Sequence, residues 1–354
     1  MKRIVFSVFA FIFLALLIIS NNKEWMLRIS DYRFASHSEC LDPHKHGDLY
    51  SMCYMQKYKE PIAEPAFRKY NSARRNTDLY IMHDSYLQNR LSSTNFKGID
   101  SLQQIDYRGG PSTIRLDSGK TSVLIIETAQ RYARWRLQNP FYYINQLHIA
   151  GKEKSGTETA PPTASDADTS SWLNDLKGIV YNPNINSNLE YNLFDYSLFS
   201  PLRGWKSSLT NFLFGKPDNR LVISTDKQYL MLKETVDTAQ NTGIYNHLAE
   251  SELDSLTAHM QQIRLHFIQA GFKEVWFSVI PNTVTVVDST YLPQHPGNGL
   301  MYKLKNKTGN LHIPYIDVYS LFIKQADKMY KHGDSHWSPA GKQIWIDEVN
   351  ARIF

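Results

Sequence analysis

The chain has 354 residues, 42% of them hydrophobic and 21% charged, with 17 Gly and 15 Pro; this is globular composition with length for one large core or two modest ones. It excludes a collagen-like, coiled-coil or wholly disordered protein, and two cysteines are too few for a disulfide scaffold or a zinc module. A formal charge of +5 is no nucleic-acid signature by itself, and an aromatic share of 13% suits carbohydrate handling or broad packing surfaces.

Two basic residues, Lys2 and Arg3, precede an almost unbroken apolar run from Ile4 to Ile19. As a helix the run would span roughly 24 Å, a little under the ~30 Å hydrocarbon core. Residues Ile18 to Asn22 offer no small-x-small cleavage site, so residues 1–21 read as an uncleaved signal anchor, with the body outside the cytoplasm, periplasmic or on the cell surface. In that oxidising setting Cys40 and Cys53 are expected to pair; the alternative is two unrelated buried thiols. Residues 22–75 are polar and irregular and read as a membrane-proximal arm.

From residue 76 the pattern becomes that of alternating strands and helices. Leu79–Met82 reads as a strand that runs into a tight turn, His83-Asp84-Ser85-Tyr86, and then a helix-compatible Leu87–Leu91. A strand is expected over Ser101–Tyr107, ending at Arg108-Gly109-Gly110. A stronger one is expected over Ser122–Glu127, apolar on both faces as in a buried parallel strand, followed by a helix over Arg131–Leu147. Residues 151–171 are poor in apolar residues and rich in Thr, Ser and Pro, a flexible linker. Residues 172–216, with Trp172, Tyr191, Phe194, Tyr196, Phe199, Trp205, Phe212 and Phe214, form an aromatic-rich insertion, either core or a sugar platform. Regularity returns at 217–354: a helix from Ser251 with Leu253, Leu256, Met260, Ile263 and Phe267 on one face and Gly271 as its cap; strands at Val275–Ile280 and Ile313–Val318; a helix at Leu321–Tyr330; and a last helix from Pro339. No internal repeat is evident. The expectation is an α/β sandwich of three layers around a parallel, flavodoxin-like sheet, formed by residues 76–150 and 217–354 and interrupted by 151–216.

Two segments sit where α/β enzymes place catalytic groups, at the carboxyl ends of strands. In the first, a turn serine, Ser85, exposes its Oγ, or else simply caps the following helix. In the second, Gly333-Asp334-Ser335-His336-Trp337-Ser338-Pro339-Ala340-Gly341, a carboxylate and an imidazole two residues apart lean the same way, so that Asp334 orients His336 toward a nucleophile. Asp334 also reads as a cap and His336 as a surface residue. Glu127 and Arg131 are a structural ion pair or pocket residues, and Gly109 and Gly110 are turn glycines or an oxyanion donor. Tyr86 and Trp337, next to Ser85 and His336, are the candidate substrate contacts.

Asp-x-His-Trp-Ser-Pro-x-Gly resembles the SGNH/GDSL hydrolase superfamily, and its form looks most like the alginate O-acetyltransferase branch. Val279-Ile280-Pro281-Asn282, Tyr291-Leu292-Pro293 and Ile125-Ile126-Glu127-Thr128-Ala129-Gln130-Arg131 are similar to segments of that branch. His83-Asp84-Ser85-Tyr86 stands in the place of the superfamily's Gly-Asp-Ser block. Here the serine precedes the Asp/His pair, as in the wider superfamily, and His83 replaces the usual glycine. The usual Asn oxyanion donor has no obvious counterpart. The resemblance implies a Ser85–His336–Asp334 triad that moves an acyl group to a polysaccharide hydroxyl without cofactor or metal. It also implies an acetyl donor fed by a membrane-bound O-acyltransferase partner. An acetyl esterase, or a non-catalytic glycan-binding subunit of a polysaccharide modification complex, are the alternatives; no nucleic acid is involved.

Overall fold

The computed structural model describes residues 7–15, 46–60, 66–87, 91–150, 205–206, 208–209, 211–213 and 218–354. The linker and most of the aromatic insertion lie outside them, as do Cys40 and both ends of the apolar N-terminal run. Residues 7–15 are helical, and among the described residues no helix is long and apolar enough to cross a membrane, so the expected anchor gains no support.

The core is an α/β arrangement around a five-stranded, all-parallel sheet. Its strands are β1 (Thr77–His83), β2 (Ser101–Asp106), β3 (Thr121–Ala129), β4 (Glu274–Ile280) and β5 (Tyr315–Ile316), in the spatial order β2-β1-β3-β4-β5. This is the flavodoxin-like order, in which the chain leaves β1 first to one side and then to the other. The loops after β1 and β3 therefore diverge and open a crevice at their carboxyl ends.

Strand alternation sends neighbouring side chains to opposite faces. Leu79, Ile81, Val123 and Ile125 pack with Trp345, Ile346 and Val349 of the C-terminal helix. Tyr80, Met82, Leu124 and Ile126 pack on the other face with the long helix Glu250–Gln269, whose Leu253, Leu256, Met260, Ile263 and Phe267 are all buried. Both faces are covered, which is why β1 and β3 carry no polar alternation. A third, smaller cluster joins the N-terminal arm (Leu49, Cys53, Met55, Tyr58) to an antiparallel pair, Leu221–Ile223 with Leu230–Leu232.

Helix α1 (Gln130–Leu137) follows β3, α2 is Glu250–Gln269, α3 is Leu300–Asn310 and α4 is Pro339–Arg352. The end of α2 matches its sequence. Gly271 sits at φ +117°, and the N–H groups of Phe272 and Gly271 return to the carbonyls of Phe267 and Ile268 (3.1 and 3.0 Å), the paired bonds of a Schellman cap. Ser338 caps α4 through the Gly341 N–H, with Pro339 in the first turn.

Several expected elements differ. The helix expected over 131–147 stops at Leu137, because Asn139 precedes a proline and is steered out of the helical region. A short helix, Phe141–Ile144, and a strand, Leu147–Ile149, follow, the latter pairing in parallel with Ser112–Ile114. After β1 the chain makes a 3-10 turn, Ser85–Leu87, and residues 88–90 of the helix expected over Leu87–Leu91 lie outside the described residues. The strand expected at 313–318 keeps two residues, and the helix at 321–330 breaks into Tyr319–Phe322, a 3-10 turn and Ala326–Met329. Cys53 is buried, which pushes its thiol up to about 11; Cys40, its expected disulfide partner, lies outside the described residues.

Candidate active site

The site is built on the carboxyl ends of β1 and β3. Asp84, the first residue past β1, is buried, and its carboxylate closes this end of the sheet. Oδ1 accepts the Tyr86 N–H (3.1 Å), and Oδ2 accepts the Ala129 N–H (3.0 Å) and Arg136 Nη1 (3.0 Å). Burial alone would raise this carboxyl. Arg136 and the two backbone donors outweigh it and hold the group below its usual range. Arg136, on α1, donates the same nitrogen to Tyr107 Oη and Thr128 Oγ1 (2.7 and 2.8 Å). The turn carrying Ser85 is thus tied to both neighbouring loops. His83, which replaces a glycine in the resemblance, is accommodated by turning inward: it is 1% exposed, its Nδ1 pairs with the Asp84 carbonyl, and burial lowers its pKa.

The second half is the loop before α4. Asp334 Oδ1 accepts both the backbone N–H and the Nδ1–H of His336, at 2.9 and 2.7 Å. Burial would raise Asp334, but the His336 hydrogen bond outweighs it and drives the carboxyl well below its ordinary range. Burial would lower His336, and the Asp334 carboxylate outweighs that and raises it above its ordinary 6.5. With Nδ1–H donated to a carboxylate, the neutral ring presents Nε2 as an acceptor, and Nε2 has no hydrogen-bond partner.

Three contacts bring the halves together. The Tyr86 hydroxyl donates to the Ser335 carbonyl (2.8 Å), the Trp337 indole N–H donates to the Tyr86 carbonyl (2.8 Å), and the Tyr86 ring lies 5.0 Å from the His336 ring. Tyr86 and Trp337, the expected substrate contacts, are thus engaged with each other and with the histidine loop. They are 1% and 2% exposed and pack edge to face against each other, clamping the histidine loop onto the serine turn. Ser85 is half-buried and makes no hydrogen bond to His336 among the described residues. The Asp334–His336 pair is assembled, and Ser85 stands outside it.

Glu127 and Arg131 do not form an ion pair. Glu127 is 0% exposed; its Oε2 accepts the Asp84 N–H at 3.0 Å while Oε1 has no partner. Burial, reinforced by the Asp84 charge, raises it far above the usual carboxylate range. The Asp84 N–H is thereby spent and is not an oxyanion donor. Arg131 instead faces Glu234 (3.8 Å) and the rings of Tyr132 and Tyr86. Gly109 and Gly110 end a 3-10 turn with nothing within 4 Å of where a Cβ would stand. They are turn glycines with no bond into the site among the described residues.

Three residues escaped the sequence reading. Arg136 carries no local signal, since its role depends on β3 turning into α1. Asn282 ends the Val279-Ile280-Pro281-Asn282 stretch. It is 2% exposed, its backbone N–H and Oδ1 are engaged by Gln130 Oε1 and the Arg131 N–H (2.8 and 3.2 Å), and its Nδ2 has no partner. It lines a narrow crevice, with room for about one water, whose walls include Tyr86, Arg131 and Ser335. The third is Asp48, in the arm: Oδ1 accepts the Ser335 N–H (2.7 Å), Oδ2 accepts the Ser335 hydroxyl, and Oδ2 lies 3.7 Å from His336 Nδ1. A signal for it existed. Lys45-His46-Gly47-Asp48 and Lys331-His332-Gly333-Asp334 are the same tetrapeptide, a short repeat missed in the sequence reading. Asp48, Asp334 and His336 are the one described group of three such side chains with donor atoms within 4.8 Å of one another, and those atoms are turned on the loop itself.

A wider groove of about 370 Å³ lies where the segments leading into α2 and α3 meet; His247, His295, Asn298, Tyr302 and Lys303 line it. Arg134 on α1 braces its wall through Asn246 Oδ1, the His247 carbonyl and Glu252. Comparison of the chain with protein-family models, curated proteins and solved structures finds no match.

Proposed function

We propose that the chain is a serine-dependent O-acyltransferase of the SGNH type, moving an acetyl group to hydroxyls of a polysaccharide outside the cytoplasm. The observation that carries this reading is the pairing of buried Asp334 with half-buried His336: the ring is held by a carboxylate at Nδ1, leaves Nε2 unengaged, and is clamped through Tyr86 and Trp337 to the turn bearing Ser85.

In this mechanism His336 Nε2 takes the Ser85 hydroxyl proton as Oγ attacks the donor's ester or thioester carbonyl. The tetrahedral oxyanion collapses, and the imidazolium returns its proton to the leaving oxygen or sulfur. An acceptor sugar hydroxyl then gives its proton to Nε2 and attacks the acyl-serine; the ester departs as the imidazolium returns that proton to Ser85 Oγ, restoring both side chains. Asp334 stabilises the imidazolium formed in each half. Asn282 Nδ2, a buried donor without a partner beside Tyr86, is the side chain suited to the oxyanion. The groove with Tyr302, His247 and Lys303 is the acceptor path, offering one exposed aromatic face and several polar groups. The apolar N-terminal run would hold the body at the membrane, where a membrane-bound O-acyltransferase supplies the acetyl group.

The open Ser85–His336 arm and the narrow crevice favour one other reading, a glycan-binding subunit without turnover. Intact-mass analysis of the full chain in detergent after reaction with 4-nitrophenyl acetate separates the two. The expected result is a gain of one acetyl group, absent in Ser85→Ala, a rate loss on the order of 10⁴–10⁶ in that variant, and a loss of roughly 10²–10³ in Asn282→Ala. Acetyl transfer to an added oligosaccharide marks the transferase, and hydrolysis alone marks an esterase. No adduct on folded protein refutes the catalytic reading.

A further inference from the structure

The N-terminal arm is built into the candidate active site. Gly47 lies at φ +108° and packs so closely on the histidine loop that a Cβ there would stand 2.1 Å from the Gly333 carbonyl oxygen. Gly333 in turn leaves no room for a Cβ beneath the Tyr58 carbonyl, also at 2.1 Å. The two Lys-His-Gly-Asp copies thus meet glycine to glycine. The Tyr50 N–H donates to the Gly333 carbonyl (2.8 Å), the His332 N–H to Glu60 Oε2 (2.9 Å), and the Leu230 N–H to the His332 carbonyl (2.8 Å). Leu49, fully buried in the third core cluster, anchors the residue beside Asp48.

We infer that Asp48 is a positioning residue for His336, supplied to the histidine loop by the distant N-terminal arm of the same chain. This rests on the triad reading of the site. Asp48 spends both oxygens on Ser335, the spacer between Asp334 and His336. Ser335 in turn offers its carbonyl to the Tyr86 hydroxyl, so one chain of hydrogen bonds runs from Asp48 through the spacer to the residue after Ser85. It sets the height of the imidazole relative to the serine. Asp48 Oδ2 also adds a second carboxylate on the Nδ1 side of the ring, 3.7 Å away beyond the Asp334 oxygen at 2.7 Å. The charged and titratable groups facing His336 are Asp334 on its own loop, Asp48 on the arm, Arg131 on α1 and Tyr86 on the serine turn. Arg131 opposes the two carboxylates.

Two variants of the full chain separate positioning from mere folding. Asp48→Asn keeps an acceptor for the Ser335 N–H and removes the charge; Asp48→Ala removes both. His336 is followed by NMR on histidine-labelled protein, assigned with His336→Gln, and turnover is followed with 4-nitrophenyl acetate. The expected result is a His336 titration midpoint lower than wild type in both variants. Asp48→Ala loses roughly 10- to 100-fold in kcat at unchanged KM, because a displacement on the order of 1 Å is enough for that, while Asp48→Asn stays within a few-fold. The midpoint is read whether or not the protein turns over, so an inactive wild type refutes the triad reading and leaves this arm of the test in force. If Asp48→Ala does not fold, Asp48→Asn carries the measurement. An unchanged midpoint in Asp48→Asn, or full kcat in a folded Asp48→Ala, overturns the assignment.

Discussion

Replacing Arg136 by Met tests whether the carboxyl edge of the sheet is organised as described. The guanidinium and the Asp84 carboxylate are 3.0 Å apart with side chains 6% and 3% exposed, so solvent screens the pair little. Removing the cation leaves the carboxylate two N–H donors, from Tyr86 and Ala129, and strands acceptors on Tyr107 and Thr128. Breaking a buried pair from one side costs about 3–5 kcal/mol. Loss of the guanidinium's stacking on Tyr132 and Tyr107, at 4.5 and 4.9 Å, would by itself cost only about 0.5–2 kcal/mol. Asp84 titrates below its ordinary 3.8, so the stability it contributes is present above that pH and is lost as pH falls through the depressed value. In Arg136→Met the carboxyl moves upward and protonates sooner, which shrinks the deficit in acid. Urea unfolding, followed by circular dichroism and tryptophan fluorescence, should therefore show a loss of about 3–5 kcal/mol at pH 7 and a smaller one near the ordinary 3.8. Adding Asp84→Asn should recover much of it in a double-mutant cycle. A loss under about 1 kcal/mol, or one that ignores pH and the second substitution, would refute the argument and assign Arg136 to packing alone.

Three further expectations concern the histidine loop and the arm that meets it. Asp334→Asn removes the group that raises His336 above its ordinary 6.5, so the midpoint at which hydrolysis of 4-nitrophenyl acetate rises with pH should move to lower pH while the plateau falls by roughly 10⁴; an unmoved midpoint contradicts the pairing. The stability from the pair has the opposite pH sense for its two members. The Asp334 part is lost as pH falls below 3.8, and the His336 part is lost as pH rises beyond 6.5, so denaturant titrations should find the variant's deficit largest between those values. Gly47→Ala should lower the melting temperature and slow turnover together, because both the positive φ and the 2.1 Å approach to Gly333 forbid the side chain; a variant with wild-type melting and rate would show that the arm does not bear on the loop.

The parallel core was legible because β1, β3 and β4 are covered on both faces and so carry uninterrupted apolar runs, and because α2 announces itself by one stripe and one glycine. The Asp334–His336 pair was legible because both groups lie in one loop, where spacing of two suffices. The remainder is long-range. Tyr86 and Trp337 look like exposed aromatics in a motif, and only their mutual packing shows that each hides the other. Glu127 and Arg131 stand four apart and suggest an ion pair, yet Glu127 is still on the strand and Arg131 already on the helix, pointing to different neighbours. Asp48 belongs to a segment with no periodicity, and its role lies in what it touches 287 residues later.

That separation has a temporal side. Trp337 and Tyr86 are 251 residues apart, and at a synthesis rate of roughly 5–20 residues per second the ribosome needs about 10–50 s to pass from one to the other. For that interval the serine turn exists without its imidazole, and the arm's Asp48 without its spacer. This junction is the last to close, drawing the arm, the turn after β1 and the loop before α4 together at one point, and a half-made chain carries the turn with nothing yet clamped onto it.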